Sequence, residues 1–207
     1  MAWFETWFDT PYYHILYKDR DFAEAENFIT LLINYLNIPK DSKIIDLACG
    51  KGRHSVFLNQ LGYEVLGLDL SKESISHNKM FENSGLKFAV HDMRNEIYPQ
   101  ISSEKADAVF NLFTSFGYFE KEEDDKKIFQ SISNILNDGG FFVLDFLNAK
   151  WVENTLLKEE IKTKEEHLFP VNQLSTLINI NDKKTYLFTK EYNQVLNKTF
   201  LNYIDPN

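Results

Sequence analysis

This chain of 207 residues has little cysteine, few histidines and no cluster of basic residues. Its one cysteine, Cys49, cannot form an internal disulfide, which excludes a disulfide-stapled secreted scaffold and points to the cytoplasm. The five histidines, His14, His54, His77, His91 and His167, are scattered without paired ligand spacing, so no metal site is expected. Lys and Arg number 22 against 31 Asp and Glu, a net charge of −9, and the basic pairs Lys126-Lys127 and Lys183-Lys184 stand alone. Phosphate backbones are held by clustered Lys and Arg, so nucleic acid is not an expected partner. No apolar run approaches the roughly 18 residues of a membrane helix, and the opening M-A-W-F-E-T-W-F-D carries acids where a secretory signal would carry bases. What is present, 43% hydrophobic and 26% charged residues, suits a soluble globular chain. The length suits one domain with a substantial core.

The chain is organised around residues 43–55, K-I-I-D-L-A-C-G-K-G-R-H-S. Ile44, Ile45 and Leu47 form an apolar run too short for a helix, as in a parallel strand covered on both faces. Gly50 and Gly52 permit positive φ and close backbone approach, and residues 53–61 restart as a helix with Val56, Phe57 and Leu61 on one face. A ligand's polar groups would meet free N–H groups at that helix start. Three further runs follow. Residues 63–70 end in Asp69, where an acid at a strand's C-terminal end can accept both hydroxyls of a ribose. Residues 86–93 end in His91-Asp92-Met93, and residues 106–113 lead into Asn111-Leu112-Phe113-Thr114-Ser115-Phe116-Gly117-Tyr118.

On these residues the chain resembles the class I S-adenosylmethionine-dependent methyltransferases, over roughly residues 12–148. D-L-A-C-G-K-G matches that family's acidic-x-Gly-x-Gly-x-Gly loop, with Ala48 in place of the first glycine. Y-Y-H-I-L-Y before the first strand and N-L-F-T-S-F-G-Y-F after the fourth are similar to the branch that holds sugar N,N-dimethyltransferases and glycine N-methyltransferase. The resemblance implies S-adenosylmethionine as cofactor and S-adenosylhomocysteine as product. It sets Asp46 near the methionine amino group, Ala48, Gly50 and Gly52 in the loop, and Asp69 with Leu70 at the ribose. Asp92 would accept from adenine N6, with the Met93 N–H at N1. It also makes the N-terminal segment a helical lid. Aromatic faces stabilise a sulfonium without competing as nucleophiles, a task for Tyr12, Tyr13 and Tyr17, and Arg20 suits the methionine carboxylate.

The donor and the acceptor should meet at the fourth strand's end, where open α/β sheets bind ligands. Asn111, Ser115 and Tyr118 are the candidates to orient the acceptor, with Phe113 and Phe116 as walls, and Asn111 also borders the cofactor. An amine acceptor needs only to be neutral, whereas an oxygen acceptor calls for a base, for which His14, His54 and His91 are candidates. NAD is the competing cofactor, but its fingerprint asks for glycine or alanine where this chain has Ser55. Two other functions use the same residues: a protein that binds S-adenosylmethionine or S-adenosylhomocysteine without turnover, and an RNA or protein methyltransferase.

The remaining segments complete one domain, 1–207, divided into a lid and helix (1–38), a cofactor-binding core (39–148) and an auxiliary region (149–207). Trp3, Phe4, Trp7 and Phe8 form an aromatic stripe that packing against the domain would explain. Thr10-Pro11 reads as an N-cap and first helical position. Residues 22–38 show a helical period through Phe22, Ala25, Phe28 or Ile29, Leu32, Tyr35 and Leu36. Ser71 reads as the N-cap of a helix running to a stop at Gly85. K-E-E-D-D-K-K reads as the solvated start of a helix over 120–136 that buries Ile128, Phe129, Ile132, Ile135 and Leu136. Asn137-Asp138-Gly139-Gly140 reads as a stop and turn before a fifth strand over 141–147. Strand and helix alternating in this way imply a doubly wound, mostly parallel α/β sheet.

Beyond 148, a short helix over 151–157 and three strands over 174–180, 185–190 and 199–204 would form an antiparallel auxiliary sheet around the acceptor. The family's closing strands six and seven are not found before Asn207. A naturally short chain, a truncated one and a substitution by the tail strands all remain open. An uncovered edge strand would favour a homodimer.

Overall fold

The computed structural model describes Phe4, Phe8 and residues 22–146. Among the described residues five strands and four helices alternate: α1 (Phe22–Leu36), β1 (Lys43–Leu47), α2 (Arg53–Gln60), β2 (Glu64–Asp69), α3 (Lys72–Asn78) extended by a 3₁₀ turn (Lys79–Phe81), β3 (Leu86–Val90), β4 (Ala106–Asn111), α4 (Glu122–Ile135) and β5 (Leu136–Leu144). The strands form one sheet in the order β3-β2-β1-β4-β5, and every pairing is parallel. The order reverses at β1, so the carboxyl ends of β1 and β4 flank the crevice where open sheets take ligands. The expected lid over 1–21, apart from Phe4 and Phe8, and the auxiliary strands beyond 148 lie outside the described residues. The described residues up to Phe116 form one compact unit with Glu123–Phe146, and Gly117–Glu122 groups with a second.

The central strands read as apolar runs because both faces are covered: Ile44, Ile45, Leu47, Ala108, Val109 and Phe110 are all buried. Ile29, Leu58, Val65, Ile75, Leu86 and Phe88 join the core around them, each such side chain contributing about 1.5 to 3 kcal/mol. Tyr63, also buried, spends its hydroxyl on the Ile38 carbonyl at 3.1 Å, so a polar atom is brought inside with a partner.

Four expectations change on inspection. On α1 the buried face is Ala25, Ile29 and Ile33, while Phe28 is 37% and Tyr35 87% exposed; both alternatives fit a 3.6-residue period, and branched aliphatics pack closer to the sheet. On α2, His54, Ser55 and Leu58 are buried deepest, with Val56, Phe57 and Leu61 only partly buried against the core. The charged opening of α4 is not wholly solvated, because Asp125 is buried. The Asn137–Gly140 segment does not end the chain's extended run. Ala106 faces Leu136 and Ala108 faces Phe141, so the residues between bulge from the ladder, with Gly139 at φ 80°.

Candidate functional site

Between β1 and α2 the backbone turns through three left-handed residues, Ala48 (φ 64°), Gly50 (φ 53°) and Gly52 (φ 74°). Glycine takes that conformation without penalty, and a Cβ on Gly52 would come within 3.0 Å of the Phe88 ring and 3.1 Å of Asn78. At Gly50 a Cβ would meet nothing within 4 Å. The loop is thus packed tightly beneath Gly52 and open at Gly50, a cradle that a side chain would fill. Asp69, at the end of β2, receives the Gly50 N–H on Oδ2 at 2.8 Å and the Ser71 N–H on Oδ1 at 2.8 Å. This ties the second strand's acid directly to the loop. Ser71 also caps α3, its hydroxyl accepting from the Ser74 N–H at 2.9 Å.

Asp46 lies one layer deeper. Its carboxylate is buried and accepts the Ser55 hydroxyl at 2.5 Å. Burial is the largest influence and, with the neighbouring Asp69 charge, it lifts the carboxyl to about 6, while the Ser55 hydrogen bonds and Arg53 pull the other way. Ser55, the residue that a dinucleotide fingerprint would replace with glycine or alanine, therefore has a task here: it holds the acid of β1. Cys49 is buried under the loop, and burial, then Asp46 and Asp69, pushes its thiol well up. A thiol kept protonated in this way is a packing group, not a nucleophile.

Asn78, fully buried at the end of α3, donates to the Gly50 carbonyl at 2.7 Å, and Arg53, the first residue of α2, pairs with Glu24 of α1 at 2.8 Å. The Arg53 guanidinium also lies 5.0 Å from the Phe113 ring centre. It joins the glycine loop to the turn after β4.

That turn has a different construction. Phe113 (φ 59°) and Thr114 (φ 55°) are consecutive left-handed residues with side chains, each costing about 1 to 2 kcal/mol. Asp145, just past β5, holds both: its Oδ2 accepts the Phe113 N–H at 2.9 Å and its carbonyl the Thr114 N–H at 3.2 Å, while its own N–H donates to the Asn111 carbonyl at 2.9 Å. Asn111, buried at the end of β4, donates to the Leu47 carbonyl at 2.9 Å, and its Oδ1 is buried with no hydrogen-bond partner among the described residues. Ser115 donates to the Leu112 carbonyl at 2.9 Å.

The structure thus brings Asp46, Ala48, Gly50, Gly52, Asp69 and Asn111 to neighbouring strand ends. Asp92 and Met93 follow β3, adjacent to the others through the His91 N–H on the Asp69 carbonyl at 2.8 Å. Leu70 is 38% exposed beside Asp69. Tyr118 belongs to the Gly117–Glu122 segment of the second unit. Tyr12, Tyr13, His14, Tyr17 and Arg20 lie outside the described residues. His54 is a poor base: burial, then Arg53, lowers it to about 3, so it stays neutral and weakly basic. His91 is buried and also lowered, by burial first, and its Nε2 has no partner among the described residues. Ser55, Asn78 and Asp145 were not legible as site residues. Ser55 alone had a signal, as the hydroxyl in the place of a small residue. Among the described residues no group of three or more His, Cys, Asp or Glu could hold a metal ion, and no helix is long and apolar enough to cross a membrane.

Residues 38–197 match the family model for a methyltransferase domain. Among curated proteins, the chain is 29% identical over 153 residues to the glycine/sarcosine N-methyltransferase of Aphanothece halophytica, a match covering 72% of this chain and 54% of that protein. It is 27% identical over 129 residues to the dTDP-3-amino-3,4,6-trideoxy-alpha-D-glucopyranose N,N-dimethyltransferase of Streptomyces venezuelae, covering 62% of this chain and 52% of that one. A solved S-adenosylmethionine-dependent methyltransferase from Clostridium acetobutylicum superposes with a TM-score of 0.55 at 26% identity, over 72% of this chain and 59% of that structure. The chain spans about half the length of the curated relatives it matches.

Proposed function

This chain belongs to the S-adenosylmethionine-dependent methyltransferases, and we propose that it transfers a methyl group from that cofactor to nitrogen or oxygen of a small-molecule acceptor, in the cytoplasm. The observation that carries the reading is the Gly50 cradle, open where a Cβ would stand and bonded to the ribose-side acid Asp69. When bound, the cofactor supplies an electrophilic methyl on a sulfonium. Asp69 would accept from its ribose hydroxyls, Asp46 would face the ammonium group of its methionine portion, and Asp92 with the Met93 N–H would read its adenine.

In-line displacement onto a good electrophile asks mainly for alignment and exclusion of water, an effect worth several kcal/mol. Asn111 has the chemistry for that alignment, since its Nδ2 is spent on Leu47 and its Oδ1 can accept from an acceptor's N–H or O–H. Two features favour a small acceptor. The net charge of −9 suits no phosphate backbone, and the relatives named above act on glycine, sarcosine or an amino sugar, as their names state. Burial lowers His54 to about 3 and lowers His91 as well, so neither is a ready base for an oxygen acceptor, which favours a nitrogen acceptor that arrives neutral.

Calorimetric titration with S-adenosylhomocysteine, with NAD in parallel, tests the cofactor. Micromolar binding of the former alone is expected. Methyl transfer is then followed over glycine, sarcosine, amino sugars and phenols. Binding without turnover on any of these would replace the enzyme reading with that of a cofactor-binding protein, and binding of NAD alone would overturn both.

A further inference from the structure

Asp92 is held in a way that the ribose-side acid is not. Among the described residues its carboxylate accepts from one residue, Arg94: the backbone N–H to Oδ1 at 3.0 Å, Nε to Oδ1 at 3.0 Å and Oδ2 at 3.1 Å, and Nη2 to Oδ2 at 2.5 Å. Arg94 in turn lies 5.9 Å from the centre of the buried Phe4 ring. Phe4 therefore has a contact beyond general packing, with the cation just past the exit of β3. Burial alone would raise the Asp92 carboxyl, but the hydrogen bonds and charge of Arg94 outweigh it and hold it below the usual range.

A carboxylate offers about four lone-pair positions. Three N–H donors of Arg94 occupy about three of them in a planar, bidentate geometry that also fixes the plane of the carboxyl group. About one remains. An acid prepared in this way suits a single further N–H donor arriving from a fixed direction, as the exocyclic amine of adenine does.

We infer that Arg94, steadied by Phe4, is a positioning residue for adenine recognition: it orients Asp92 so that one acceptor site remains for the N6 amine. This rests on the reading that Asp92 faces adenine. It makes the preference for a 6-amino purine a property of the Asp92–Arg94 pair, not of Asp92 alone.

The test is calorimetry with two ligands, S-adenosylhomocysteine and its purine-riboside analogue, which lacks only the 6-amino group. Wild-type protein should prefer the amino compound by roughly 10- to 100-fold, the range for a hydrogen bond to a charged group. Arg94→Met should lose most of that preference by weakening the amino compound while leaving the analogue's affinity nearly unchanged. Arg94→Lys, which keeps the charge without the fork, should fall between them. Thermal melts confirm that each variant is folded, and Arg94→Lys serves if Arg94→Met is not. Equal loss for both ligands would make Arg94 a general support of the fold and overturn the inference, as would an unchanged preference or tighter binding of the amino compound. Wild-type protein that binds neither ligand would overturn the methyltransferase reading, and this inference with it. A wild type that binds S-adenosylhomocysteine but does not distinguish the analogue would overturn the inference alone.

Discussion

The two turns that flank the crevice solve the same backbone problem with opposite chemistry. After β1, two of the three left-handed residues are glycines, Gly50 and Gly52, which take the conformation without strain and leave open space at Gly50, and the third, Ala48, carries only a methyl group. After β4, Phe113 and Thr114 take the same conformation with side chains attached, and Asp145 secures them from the end of β5. Glycine belongs where a ligand must approach the backbone. Bulky residues at a conformational cost belong where side chains themselves are wanted, since strain of this kind persists only when the surroundings over-determine it. The contrast is in keeping with the proposed division, in which the cofactor lies at the β1 turn and the acceptor at the β4 turn.

The sharpest way to break the comparison is Gly50→Val. A Cβ at this position meets nothing within 4 Å, so the variant should fold with a loss of about 1 to 2 kcal/mol for the left-handed conformation. S-adenosylhomocysteine binding should nevertheless fall below detection, because the methyl groups occupy the cradle. Near-normal affinity in calorimetry would mean that the ligand does not approach this loop. Asp69→Ala comes next. It removes the proposed ribose acceptor and also the anchors of the Gly50 and Ser71 N–H groups, at an expected cost of roughly 1 to 3 kcal/mol in binding. An unchanged dissociation constant would show that β2 does not reach the ribose.

The buried acid of β1 gives a pH test of the same half. With its carboxyl lifted to about 6, Asp46 is ionised above that pH and protonated below it. If it faces the methionine ammonium, the dissociation constant should rise about tenfold per pH unit below 6, and Asp46→Asn should bind more weakly at pH 8 with no such slope. Stability has the opposite sign. Asp46 takes up its proton at about 6 when folded but near 3.8 when unfolded, so its contribution to stability grows as pH falls through that window. His54 works against it: neutral until about 3 when folded but protonated near 6.5 when unfolded, it costs stability over the same descent. Asp46→Asn removes the compensating group, so its melting temperature should drop more steeply between pH 6 and 4 than that of the wild type. Parallel curves would show that Asp46 titrates normally.

The difference between the turns also explains how much could be read in advance. Glycines at fixed spacing after an apolar run have one dominant physical meaning, so the loop, both strand-end acids and the parallel sheet were legible. Phe113-Thr114 carries no such mark. Nothing in either residue announces a left-handed pair, because its cause, Asp145, stands 32 positions further on. Arg94 escaped notice for the opposite reason: two residues from Asp92, it looks like an ordinary surface charge until its rotamer is seen. The face of α1 was ambiguous because Phe28 and Ile29 both satisfy a helical period, and only packing against the sheet chooses Ile29.

Thr114→Gly sharpens the comparison with the smallest effect, because it makes the β4 turn chemically like the β1 turn. Relief of the left-handed strain should contribute about 1 kcal/mol, and the added freedom of the unfolded chain should remove about 0.4 to 1 kcal/mol. The net change in urea midpoint should lie close to zero, with S-adenosylhomocysteine affinity unaltered. Asp145→Leu should cost about 1 to 3 kcal/mol through the Phe113 N–H left without its acceptor. The double variant should then lose less than the two single changes predict, since a glycine needs less help to stay left-handed. Strict additivity would mean that Asp145 stabilises the β5 exit for reasons of its own, and that the strained pair is held by Arg53 stacking on Phe113 instead.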